Sequence, residues 1–123
     1  MDLTMNETDE VIIKALYASV VEDEGTLYIG FAEGEDEDEP YVLFRREGEG
    51  PIWFEVSDES FGAEDAVSGI TRTAKGIEIA IALDKTAAIG FAHSIAVRIP
   101  AHCESGEEAI EALRELYGDK FKG

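Results

Sequence analysis

Carboxylates are the residues of this chain whose number and spacing invite a chemical reading. Glu33, Glu35, Asp36, Glu37, Asp38 and Glu39 follow one another with only Gly34 between them, closed by Pro40, and a second pair, Asp58-Glu59, lies between Trp53 and Phe61. An unpaired carboxylate is costly to bury, so the run points either into water or at a cationic partner. Calcium chemistry fits it poorly, for it lacks the alternating ligand spacing, central glycine and distal bidentate Glu of a calcium loop. Acid–base chemistry needs two carboxyl groups held in unlike environments. Glu55 is the one acid that differs from its fellows, on a strand between Phe54 and Val56. Its favoured role is an ion pair with Arg45 or Arg46 across a hairpin. The alternative makes Glu55 or Asp58 the working group of a small enzyme or of an acidic ligand- or cation-binding domain. Binding is the third use. Trp53 and Phe61 with acids around them have the makeup of an interface, although Trp53 also suits the second face of a sheet.

Other reactive residues are few. His102-Cys103 would need two more ligands to hold zinc, and only His93 offers itself, so the pair reads as a loop histidine beside a half-buried thiol. The glycines are scattered among turns, with no phosphate loop opening a helix, and no nucleophile sits in a recognisable elbow. Neither catalytic residues, metal nor cofactor is expected.

Charge sharpens the binding reading. The 123 residues carry 28 acids against 10 bases, a net charge of −18. Residues 22–65 hold 16 of the acids and only Arg45 and Arg46, so −14 is concentrated there. Such a segment repels nucleic acid and anionic lipid and attracts basic proteins. Solubility selection in a salt-loving organism would also raise the acid count, but evenly. One cysteine, Cys103, allows no internal disulfide, which suits a reducing cytoplasm. The opening MDLTMNETDE has neither the basic start nor the apolar stretch of a secretory signal, and no apolar run approaches a membrane span.

The elements that must position these acids read as strands. Residues 1–10 form a flexible lead-in, and 11–123 one domain, long enough to bury a core without staples. Ile13, Ala15, Tyr17, Ser19 and Val21 alternate as one strand, although Ile13, Leu16, Tyr17 and Val20 also fit a helix. A turn at Glu22-Asp23-Glu24-Gly25 leads into Leu27, Ile29 and Phe31; beyond the acidic run come Val42 and Phe44, then Ile52, Phe54 and Val56. Asp65 to Thr73 is a further strand, with Gly69 a bulge. Ile77, Ile79, Ile81 and Leu83 give one apolar face; Asp84 caps a short helical turn stopped by Gly90; Ile95, Val97 and Ile99 end the sheet. Ser105 and Glu108 form a capping box ahead of the stripe Ala109, Ile110, Leu113, Leu116 and Tyr117. The fold expected is α+β: an antiparallel meander of six to seven strands packed against one C-terminal amphipathic helix.

Several phrases together resemble the immunity protein 10 family of bacterial polymorphic toxin systems. They are Gly30-Phe31-Ala32-Glu33 before the acidic turn, Tyr41 and Arg45 on the next strand, and Glu55, Val56 and Asp58 after it. Ile79 and Asp84, then Leu113 and Leu116 of the helix, complete the set. The likeness covers most of residues 15–121. It departs from the family's Gly-rich aromatic phrase where Ser60-Phe61-Gly62-Ala63-Glu64-Asp65 stands. The resemblance implies a cytoplasmic protein that neutralises a cognate toxin by binding, without catalysis. The acids and aromatics read above supply the expected contacts, Glu33, Glu35, Asp36, Glu37, Asp38, Glu39, Trp53, Asp58, Glu59 and Phe61, offered to a basic surface. If the toxin is a nuclease, these acids stand in for substrate phosphates.

Overall fold

The computed structural model describes residues 10–36 and 38–123. The expected lead-in therefore falls outside the described residues, except for Glu10, which opens the first strand. The α+β class holds, with one C-terminal α-helix among the described residues, but their strands number ten and divide into two sheets. Strands β2 (Tyr17–Asp23), β3 (Thr26–Ala32), β4 (Tyr41–Glu47), β5 (Ile52–Val56) and β6 (Gly62–Glu64) form the expected antiparallel meander in chain order. The second sheet is mixed. It runs β1 (Glu10–Lys14), β9 (Ser94–Arg98), β8 (Gly76–Ile81), β7 (Val67–Thr73), β10 (Phe121–Lys122), with β1 parallel to β9 and β10 parallel to β7.

The break between β1 and β2 corrects the single strand read across residues 11–21. The Ala15 N–H donates to the Arg98 carbonyl in the mixed sheet, and the next N–H, of Leu16, donates to Ala32 in the meander. Ala15 is fully buried at this crossing. The inward set then changes phase: Ile13 and Ala15 face the core before it, Ala18 and Val20 after it. A one-residue shift of this kind exchanges the faces of a strand, so Tyr17, Ser19 and Val21 do not continue the inward series.

Elsewhere the alternation is followed. Ile29, Phe31, Val42, Phe44, Phe54 and Val56 point inward from the meander and meet Ile77, Ile79, Ile81, Ile95 and Val97 of the mixed sheet in one core. Glu24 and Gly25 both take positive φ (52° and 85°), the two-residue turn that matches strand twist. The irregularity between Val67 and Gly69 is the expected bulge. Leu83 departs from the inward series and is 85% exposed, because the chain there enters a 3-10 helix, Leu83–Ile89. Gly90 stops that helix in the left-handed conformation, as expected, but Asp84 makes no capping bond.

Helix α1 (Gly106–Tyr117) buries Ala109, Ile110 and Leu113. The capping box does not form: Ser105 itself sits at φ 61° with no side-chain bond to the helix. Phe44 ties helix to sheet, its ring 4.9 Å from that of Phe54 and edge-on to Tyr117 at 5.9 Å. Ion pairs of the helix, Arg72–Glu107 and Arg114–Glu111, are solvent-exposed and contribute little.

Tyr117 gives this packing a pH signature. Burial, with the Asp65 charge adding and Arg46 opposing, holds its phenol well above the usual tyrosine range. The folded chain thus binds that proton more tightly than the unfolded chain. The resulting stability is complete below about pH 10 and is lost as pH rises through the raised value. Denaturant melts between pH 8 and 11 should show stability falling by up to about 1.4 kcal/mol per pH unit above pH 10 from this group. Tyr117→Phe should flatten the fall, and an unchanged slope would assign it elsewhere.

Candidate functional site

The meander has a second, outward face, and three of its rows of paired residues lie beyond the row Asp23, Thr26 and Glu47. Val21, Tyr28, Arg45, Trp53 and Glu64 make one row; Ser19, Gly30, Leu43, Glu55 and Gly62 the next; Tyr17, Ala32 and Tyr41 the third. The loop after β3 and the loop after β5 rise at the same end of this face. Between them lies a groove of about 730 Å3, open to solvent.

Hydrogen bonds shape both loops. Glu33 N–H donates to the Pro40 carbonyl and Glu39 N–H to that of Asp36, which closes the acidic loop at its base. Gly34 makes room for the Glu39 side chain, since a Cβ there would stand 2.7 Å from it. In the second loop Ser57 takes φ 62°, Asp58 N–H donates to Val56, Phe61 N–H to Asp58, and the Asp58 carboxylate accepts from Ser60 N–H.

The groove gathers Glu35, Asp36, Asp38 and Glu39 on one side and Asp58 and Glu59 on the other. Six of the expected binding residues thus share one site. Glu33 does not join them: its carboxylate accepts the Lys14 N–H at 2.8 Å and so ties the loop base to β1. Glu37 lies outside the described residues. Trp53 is turned along the sheet, its ring under the Arg45 guanidinium 5.3 Å away, lining a neighbouring hollow. Phe61, 47% exposed, stands off the groove against Gly90.

The floor is where sequence reasoning falls short. Glu55 is only 6% exposed and pairs with neither Arg45 nor Arg46. Arg45 is stacked on Trp53, and Arg46 donates instead to the carbonyls of Gly50 and Glu49. Glu55 accepts one hydrogen bond at each oxygen, from the Trp53 indole N–H at 2.7 Å and from the Tyr41 hydroxyl in a short contact. Gly62 admits this geometry, because a Cβ there would lie 2.5 Å from the indole. Burial, the bond to Glu55 and nearby acid charges push the Tyr41 phenol well above the ordinary tyrosine value, so it stays a donor. The register could have revealed the pair: Tyr41 and Glu55 are both outward positions on adjacent strands.

A second feature escaped the sequence. Phe91 is 71% exposed and holds φ 66°, a strained conformation for a side chain of its size. It follows Gly90, against which the Phe61 ring lies, so a second exposed aromatic residue is next in the chain to the one that Phe61 approaches. Strain and exposure together are features of binding surfaces.

Among the described residues, no group of three or more His, Cys, Asp or Glu side chains is arranged to hold a metal ion, and no helix is long and apolar enough to cross a membrane. The Cys103 thiol is buried, which pushes its pKa up and leaves it a poor nucleophile. No family model matches the chain, and no curated protein matches it.

Proposed function

We propose that this chain is an immunity protein of the immunity protein 10 type, which neutralises a cognate toxin in the bacterial cytoplasm by binding a basic surface on it. One observation carries the reading: two acidic loops separated by some twenty residues of sequence line a single groove. Acids that only kept the protein soluble would have no reason to converge. The toxin is bound, not modified. Asp58 and Glu59, in a short hydrogen-bonded loop, make fixed contacts, and Glu35, Asp36, Asp38 and Glu39 steer the encounter. Phe61 and Phe91, exposed outside the groove, add apolar contact.

The test is binding to the toxin domain encoded beside this chain. Association rates should fall about tenfold or more between low and physiological salt, because steering is screened while the contact itself persists. Asp58→Asn with Glu59→Gln should speed dissociation, whereas neutralising Glu35 and Asp36 should mainly slow association. No binding to that domain, or binding indifferent to salt, would overturn the proposal.

The groove also supports a second reading, a small acid–base enzyme, because Glu55 and Asp58 both line it and Glu55 is buried there. A pH–rate profile that loses its acid limb in Glu55→Gln would favour it.

A further inference from the structure

Beneath the acidic rim the groove contains something the rim does not explain. Glu55 is buried, and among the described residues no cation pairs with it. Burying a carboxylate without a counter-charge is costly, and two neutral donors offset that cost only in part. Its two oxygens offer about four acceptor positions, of which Tyr41 and Trp53 occupy two. Glu55 lines the groove, and a donor that entered the groove would find those remaining positions unclaimed by any other side chain described. The floor beside it is partly apolar: Gly30 leaves the space between Ser19 and Leu43 unfilled, and Tyr41 adds an aromatic ring to the lining.

We infer that this floor is a receptor for one arginine side chain of the partner, whose guanidinium reaches Glu55 beneath the acidic rim. A guanidinium suits it better than an ammonium. It is planar, it donates two parallel N–H groups to one carboxylate, it stacks on aromatic rings, and it gives up its hydration more easily. The rim would attract lysine and arginine alike; the floor would select. The inference deepens the immunity reading by naming the anchor that a toxin would bring, and it rests on that reading for its biological setting only.

Trp53 is the chain's single tryptophan and donates to Glu55, so its fluorescence reports the floor directly. Hexa-arginine and hexa-lysine peptides serve as probes. Hexa-arginine should shift Trp53 emission saturably, while hexa-lysine, held at the rim, should bind in a salt-dependent way and leave the emission unchanged. Glu55→Gln should weaken hexa-arginine by about tenfold or more and abolish the shift, with hexa-lysine affinity little altered. Tyr41→Phe keeps the carboxylate but frees one of its acceptor positions, so it should bind hexa-arginine several-fold tighter. That gain is not what a merely structural tyrosine would produce, and it decides the matter even if Glu55→Gln folds badly. Equal responses to the two peptides, no Trp53 response to hexa-arginine, or a Tyr41→Phe variant that binds no tighter would each overturn the inference. A chain that selects arginine yet binds no toxin would leave the anchor standing and remove only the immunity reading.

Discussion

Gly76→Ala is expected to cost roughly 3–5 kcal/mol of stability, the sum of overpacking and backbone strain. Gly76 opens β8 directly after the turn at Ala74-Lys75, opposite Arg98 of β9, with φ 152°. A Cβ on it would stand 2.0 Å from the Val97 carbonyl oxygen and 2.9 Å from the Ile99 nitrogen. Both are backbone atoms, one in β9 and one just past its end, so no side-chain rotation relieves the clash. Either β8 shifts, disturbing the row Ile77, Ile79 and Ile81, or its pairing with β9 opens. Gly25→Ala is the matched control. That residue also has positive φ, 85°, but nothing lies within 4 Å of its missing Cβ, so only the conformational penalty of about 1 kcal/mol applies. Urea melts with equal m-values would compare the two. Equal losses would mean that strain alone, and not the close approach of β9, sets the requirement for glycine.

What could be read from the sequence was what local pattern controls. Period-two runs such as Ile77-Ile79-Ile81 and Ile52-Phe54-Val56 disclosed both strand and buried face, because one face of each packs in a shared core. The stop at Gly90 and the bulge at Gly69 were legible for the same local reason. Partner choice was not. β1 and β10 pair in parallel with strands roughly fifty to eighty residues away, and nothing within five residues of chain announces such a partner. The division into two sheets turns on Ala15, whose small side chain fits the crossing but would fit a continuous strand as well. At the site, the acids of both loops were conspicuous as composition, and the groove that unites six of them needed the fold. Glu55 was singled out but given the wrong partner. A hairpin places Leu43, not Arg45 or Arg46, directly across from it, and the aromatic residues on either side take its oxygens.

Phe44→Ala is expected to destabilise the chain by about 3–5 kcal/mol, the range for removing a fully buried aromatic side chain. Its position explains why the site would feel the change. Phe44 is completely buried and touches Phe54 on the next strand and Tyr117 on α1, so one side chain joins the meander to the helix. Its neighbours along β4, Leu43 and Arg45, face outward, and Leu43 lines the groove that Tyr41 and Glu55 floor. Emptying the Phe44 position leaves a cavity between helix and sheet that neither backbone can readily close. Amide exchange should therefore quicken first in α1, whose last turn loses the Tyr117 contact, while the ladder of β3 and β4 stays protected. Leu43→Ala, on the opposite face of the same strand, should cost much less stability, because Leu43 is only half-buried. Yet Leu43→Ala is the change that alters the wall of the groove. If the two variants exchanged these effects, with Phe44→Ala disturbing the groove at little cost in stability, the meander would not be the rigid platform that holds two acidic loops over one buried carboxylate.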